Sequence, residues 1–174
     1  MKKIFLIALV LLVGYNCFAQ KPLPANTILQ SAYKKAAQQN KKVFLIFHAS
    51  WCGWCKKLDA SMNDSSTKKI FDAYFVTVHL TVQETPNKKY LENKGADAVL
   101  QQFKATDAGL PFFVILDSKG NKLGDSFVNN ENMGCPAQKN EVENFIALLQ
   151  KTTTIQKPAT AIIYNRFIKN QPPK

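Results

Sequence analysis

Apolar residues along this chain recur at two different periods, and the changes of period mark out alternating helices and strands. Ile28, Ala32, Tyr33 and Ala36 fall at helical spacing, with Asn26 or Thr27 placed to cap, so a helix is expected up to about Asn40. Val43 to Phe47 is an unbroken apolar run of strand length, suited to a central strand covered on both faces. A second helix follows, with Cys55, Leu58 and Met62 on its inward stripe. Val76, Val78, Leu80 and Val82 alternate within 73–82, which predicts a strand parallel to the first, and Lys88 to Phe103 reads as another helix. Phe112 to Leu116, the turn Asp117 to Asn121, and Lys122 to Val128 predict an antiparallel hairpin. Lys139 to Gln150 then supplies a last amphipathic helix. The order is that of an α/β domain with a mixed sheet, and no internal repeat interrupts it.

Length and composition fit one small domain preceded by a targeting segment. Lys2 and Lys3, the apolar stretch Ile4 to Val13, and the small-residue site ending at Ala19 have the layout of a secretory signal peptide over residues 1–19. Lipid attachment at Cys17 is the weaker alternative, because Tyr15 and Asn16 stand where small residues are expected. An exported, periplasmic or secreted protein is therefore expected. Three cysteines, Cys52, Cys55 and Cys135, remain after cleavage, in a compartment where disulfides persist.

The chemistry concentrates in Trp51-Cys52-Gly53-Trp54-Cys55-Lys56, where the first strand gives way to a helix. A cysteine at a helix N-terminus faces unpaired backbone N–H groups and the positive end of the macrodipole, so its thiolate is stabilised. Lys56 and Lys57 add positive charge in the first turn and act in the same direction. Cys55, three residues on, lies on the same side of the helix and can attack a mixed disulfide formed at Cys52. A lone Cys-x-x-Cys is also half of a zinc site, but a four-cysteine site needs a second such pair, which this chain lacks. No metal is therefore expected at the pair.

The run Phe47-His48-Ala49-Ser50-Trp51-Cys52-Gly53-Trp54-Cys55-Lys56, with Gly109-Leu110-Pro111 before a later apolar strand, resembles the thioredoxin superfamily. More narrowly, it resembles extracytoplasmic thioredoxin-like domains such as the C-terminal domain of the disulfide-interchange reductases. The resemblance spans about Ala25 to Lys151 and implies a thioredoxin-like three-layer fold, a mixed central sheet flanked by helices. It further implies a redox-active Cys52–Cys55 disulfide with no other cofactor, Cys52 attacking and Cys55 resolving. A cis Leu110-Pro111 bond beside Cys52 is also implied, with the Leu110 backbone offered to an extended substrate; an ordinary strand-start proline is the plainer alternative. Trp51, Gly53 and Trp54 complete the implied substrate groove, although Trp54 could equally pack on its own domain and Trp51 is expected mainly to do so. The buried acid that many thioredoxins carry in the central strand falls here on Ile46, which cannot relay a proton to Cys55. His48 is the nearer of two histidines that could do so, set against a simple packing role at the strand end. The Gly-Trp dipeptide tunes a potential that ranges from about −270 to −120 mV across such proteins.

These residues lead to an exported thiol–disulfide oxidoreductase that reduces disulfide-bearing client proteins, with a membrane-embedded electron donor as a candidate second partner. The alternatives are a disulfide oxidase or isomerase, or a non-catalytic peptide- or metal-binding module. Cys135, in the polar loop Asn129 to Pro136, is either a third redox thiol, a soft-metal ligand with Met133, or an isolated packed thiol, the reading that fits small-residue packing best. The formal net charge is +11, of which Lys2 and Lys3 carry two and the acid-free stretch 151–174 carries five. The domain is thus expected over 20–151, followed by a basic tail over 152–174 that serves as a linker or packs through Ile162, Ile163, Tyr164, Phe167 and Ile168. Contact of the tail with anionic lipid is the less favoured role. Basic residues without a motif or an aromatic stacking platform give no sign of nucleic-acid binding.

Overall fold

A computed structural model describes residues 21–172; the expected signal peptide over 1–19, Cys17 included, lies outside them. The central sheet has the order β2-β1-β3-β4, built from β1 (Lys42–His48), β2 (Phe75–Thr81), β3 (Phe112–Leu116) and β4 (Lys122–Asp125). β1 runs parallel to β2 and antiparallel to β3, and β3 runs antiparallel to β4. The expected mixed sheet is present.

Both faces of the sheet are buried, which explains why β1 and β3 read as continuous apolar runs rather than alternating ones. Val43, Leu45 and Phe47 face α1 (Ala25–Gln39) and α4 (Ala96–Gln102), meeting Leu29, Ala32, Ala36 and Leu100. Phe44 and Ile46 face the opposite layer: α2 (Gly53–Met62), α3 (Lys68–Tyr74), α5 (Lys139–Thr152) and α6 (Lys157–Phe167). The result is the three-layer α/β arrangement expected from the resemblance. The second face is rich in aromatic contacts, with the Phe145 ring centroid 5.0 Å from Phe167, 5.6 Å from Phe113 and 6.3 Å from Phe44.

Several boundaries differ from the sequence reading, each for a local reason. The first helix starts at Ala25, one residue after Pro24, so Asn26 and Thr27 lie inside its first turn. Residues 73 and 74 close α3, a helix the alternation of the next strand had obscured, and β2 begins only at Phe75. Residues 88–103 do not form one helix. A 3₁₀ turn over Pro86–Leu91 is followed by Asn93, whose side chain accepts from the Thr81 N–H and donates to the Leu23 carbonyl, and Gly95 at φ 85° then opens α4. The charged run Lys88 to Lys94 offers no continuous apolar stripe to hold a longer helix.

The last strand is also divided. Ser126, fully buried, turns its hydroxyl to the Phe113 N–H, and the chain restarts as a two-stranded ribbon of β5 (Phe127–Val128) and β6 (Glu131–Asn132). Asn129 and Asn130 both adopt positive φ at its two-residue turn, as asparagine tolerates. The boundary expected at 151/152 does not end the packed unit. Thr152 closes α5, Pro158 sits in the first turn of α6, and Ile155, Ile163 and Phe167 are buried in the second core face, while Ile162 faces solvent. Of its basic residues, Lys157 and Lys169 are exposed, while the half-buried Arg166 donates to Asp64 Oδ2 at 2.8 Å. Among the described residues, no helix is long and apolar enough to cross a membrane.

Candidate active site

β1 delivers the chain to the site and α2 begins there. After His48 the backbone turns, the Cys52 N–H donating to the Ala49 carbonyl at 3.0 Å, and Cys52 becomes the N-cap of α2 with extended backbone (φ −76°, ψ 101°). Cys52 and Cys55 form a disulfide with their Cα atoms 5.3 Å apart. The Cys55 N–H points at Cys52 Sγ from 3.1 Å, so a backbone donor at the helix start faces the sulfur where thiolate charge would develop. Both cysteines are nearly covered, packed with Ala49 and Leu110.

Around this cystine the sequence-selected residues take distinct positions. The Leu110-Pro111 peptide is cis, with Leu110 against the sulfurs. Gly53 opens α2, and no heavy atom lies within 4 Å of the Cβ it lacks, so the approach to the pair is open there. Trp51 and Trp54 are 53% and 41% exposed, so each ring packs in part on its own domain and opens in part to solvent. Trp51 is nonetheless anchored by its indole N–H to the Gln83 carbonyl at 2.8 Å, and Lys57 Nζ lies 4.3 Å over the Trp54 ring. Lys56 is exposed on the same turn. A cleft of about 280 Å³ opens between Trp54, Leu110, Pro111, Met133, Cys135 and Glu141.

Neither histidine lines that cleft. His48 Nε2 is 3.1 Å from Thr81 Oγ1, and its ring centroid is 5.0 Å from that of His79. His79 reaches α2 and places Nε2 2.7 Å from Asp59 Oδ1, one turn beyond Cys55. Burial pushes the His48 pKa below its ordinary value, with the neighbouring His79 acting in the same sense. His48 is therefore a neutral ring at neutral pH. Ile46 sits between His79 and Phe113 in register and is itself buried.

Sequence reading missed Glu84. This carboxylate, only 4% exposed, accepts from both the Ser50 N–H and the Ser50 hydroxyl, and so fixes the turn that carries Cys52. A glutamate just past an apolar strand gave no periodic signal; its role depends on 34 residues of sequence separation closing across the sheet.

Cys135 is brought to the edge of the cleft, but its sulfur belongs to the second core face. Asn170 Nδ2 lies 3.5 Å from its Sγ, and burial pushes the thiol up to about 12. At pH 8 only ~10⁻⁴ of such a thiol is ionised. In the reduced protein, iodoacetamide is accordingly expected to label Cys52 at native pH 8 and to spare Cys135 until denaturant is added, as peptide mass spectrometry would show. Prompt native labelling of Cys135 would contradict its placement. The same shift costs stability as pH rises beyond the thiol's ordinary value near 9, because the unfolded chain releases a proton that the folded one keeps. Among the described residues, no three His, Cys, Asp or Glu side chains gather as a metal site.

A helix-capping cystine, a cis-proline loop against it and a three-layer mixed sheet together define a thioredoxin-like dithiol protein. A family model described as thioredoxin-like matches residues 25–118, and the chain belongs to that family. The structure is similar to a disulphide isomerase from Xylella fastidiosa Temecula1, at 19% identity and a TM-score of 0.51, over 84% of this chain and 90% of that one. It also matches the C-terminal domain of DsbD from Neisseria meningitidis in its oxidised form, at 19% identity and a TM-score of 0.45, over 76% of this chain and 99% of the other. A thioredoxin from Thermus thermophilus matches at 18% identity and a TM-score of 0.46, over 76% and 87% of the two chains. No curated protein matches the sequence.

Proposed function

We propose that this protein is an exported thiol–disulfide oxidoreductase that reduces disulfides in client proteins. The observation that carries the reading is the Cys52–Cys55 cystine at the start of α2, with the Cys55 N–H aimed at Cys52 Sγ and an open rim of Trp51, Trp54 and Leu110 beside it. In the reduced enzyme the Cys52 thiolate attacks a client disulfide, forming an S–S bond to one client sulfur and releasing the other as a thiolate that takes up a proton. Cys55, once deprotonated, attacks Cys52 Sγ; the intermolecular bond breaks, the client leaves as a dithiol, and the two electrons it gained have come from the Cys52/Cys55 pair. A dithiol donor must then reduce the cystine, and a membrane-embedded one suits a protein outside the cytosol. Export itself rests on the signal-peptide pattern of residues 1–19.

The decisive test is equilibration of the mature protein in graded thiol buffers, with mass spectrometry counting oxidised cysteines at each point. A reversible two-electron couple confined to Cys52 and Cys55, below about −230 mV, is expected for a reductant. A couple near −120 mV would reverse the direction to oxidation, and no reversible couple would end the oxidoreductase reading in favour of a binding module.

A further inference from the structure

We infer that Asn132 is a positioning residue that clamps the Gly109-Leu110-Pro111 loop in the form that receives a client chain. The side-chain amide of Asn132 lies 3.0 Å from the Ala108 carbonyl, 3.2 Å from that of Gly109 and 3.0 Å from that of Pro111. Two amide hydrogens thus serve three carbonyls, which stand on both sides of Leu110. Among the described residues, no hydrogen bond engages the N–H or C=O of Leu110 itself. The clamp consumes the neighbouring acceptors and leaves this one peptide free beside the cystine.

The other end of the amide is held as firmly. Asn132 Oδ1 accepts from Ser126 Oγ at 2.6 Å and from the Gly134 N–H at 3.1 Å, and Ser126 Oγ in turn accepts from the Phe113 N–H at 3.2 Å. Ser126 is fully buried in the break between β4 and β5, so the clamp is tied to the sheet and not only to a surface loop. Gly134, at φ 58°, carries the chain past Pro111, whose carbonyl would lie 3.8 Å from a Cβ at that position. The β5–β6 ribbon thereby acquires a purpose. It brings one amide under the loop at a place where the backbone carbonyls converge and no backbone donor could reach all three.

This inference rests on the oxidoreductase reading for its functional consequence, but the clamp itself can be tested without turnover. A loosened loop should cost an extended protein substrate, which aligns along Leu110, far more than a small disulfide that touches only sulfur. With reduced Asn132→Ala, the ratio of the rate on insulin to the rate on 5,5′-dithiobis(2-nitrobenzoate) is expected to fall about tenfold, carried by KM, with the Cys52–Cys55 reduction potential unmoved. Backbone ¹⁵N order parameters of Gly109 and Leu110 should fall from about 0.85 towards 0.6 or below. Asn132→Asp keeps the acceptor for Ser126 and Gly134 but sets an oxygen against three carbonyls. It should loosen the loop at neutral pH and recover order on acidification, as the introduced carboxyl regains an O–H donor. Parallel loss on both disulfides, an unchanged ratio, or unchanged order parameters in either variant would overturn the assignment. A wild-type protein inert toward both disulfides would instead sink the oxidoreductase reading, and the order parameters would still decide the clamp.

Discussion

Cys55→Ala is expected to abolish catalytic turnover, by on the order of 10³-fold or more, while leaving the first covalent step intact. The N-cap geometry of Cys52 survives this substitution, because the donor facing its sulfur is the backbone N–H of residue 55 and not its side chain. Attack on a client disulfide therefore still occurs, but no thiol follows three residues on to displace the client. Mixed disulfides at Cys52 should accumulate, visible as adducts that collapse on addition of reductant in non-reducing electrophoresis and map to Cys52 by mass spectrometry. Cys52→Ser removes the attacking sulfur and should give neither turnover nor adducts. Clients that bind Cys55→Ala undiminished without covalent capture would mean that the pair is incidental and the domain is a binding module. Residual turnover in Cys55→Ala, lost in the double variant with Cys135→Ser, would make Cys135 a second resolving thiol. Its burial and its pKa of about 12 argue against that outcome.

Chemistry carried by local sequence was the legible part of this protein. The continuous apolar runs at 43–47 and 112–116 are strands because both sheet faces are covered, and the motif between Trp51 and Lys56 is bound to the strand-to-helix junction that gives it reactivity. Less legible was whatever depends on partners distant in the chain. Glu84 meets Ser50, Asn132 meets 108–111, and His79 meets Asp59 only after the sheet has formed. Each pairing joins residues 20 or more positions apart, and a periodic pattern reports the faces of an element rather than the distant partner of a polar side chain. The failures in element bounds have the same source. Asn93 leaves the expected helix to satisfy the Thr81 N–H and the Leu23 carbonyl, and Ser126 interrupts the expected strand to meet Phe113. Tertiary hydrogen bonds outweighed propensities worth only tenths of a kcal/mol per residue.

The C-terminal segment is where composition left two roles open, and the corresponding prediction concerns stability. Five basic residues, three prolines and no acid over 151–174 suit a linker, whereas its apolar positions suit a strip packed on the domain, and the packed strip is what forms, with Ile162 alone of the five facing solvent. Phe167 is fully buried, its ring 5.0 Å from Phe145 and 6.1 Å from Phe71, and Ile155 and Ile163 line the same core face. Phe167→Ala is expected to lower the unfolding free energy by about 3–5 kcal/mol, measured by denaturant titration. A chain ending at Lys151 loses all three side chains together. At roughly 2–5 kcal/mol each, their loss approaches or exceeds the roughly 5–15 kcal/mol that holds a typical domain together. Such a chain should show no cooperative transition and should bind a hydrophobic dye. The damage would also reach the site, because Asn170 donates to Ser61 on the active-site helix and to the Pro136 carbonyl, with Cys135 Sγ under the same amide. Removing it uncovers the thiol, so native alkylation of Cys135 should rise in step with the loss of structure. A truncated chain that unfolds at the wild-type midpoint, with Cys135 still protected, would show that the helix is an appendage and that the domain does end at 151.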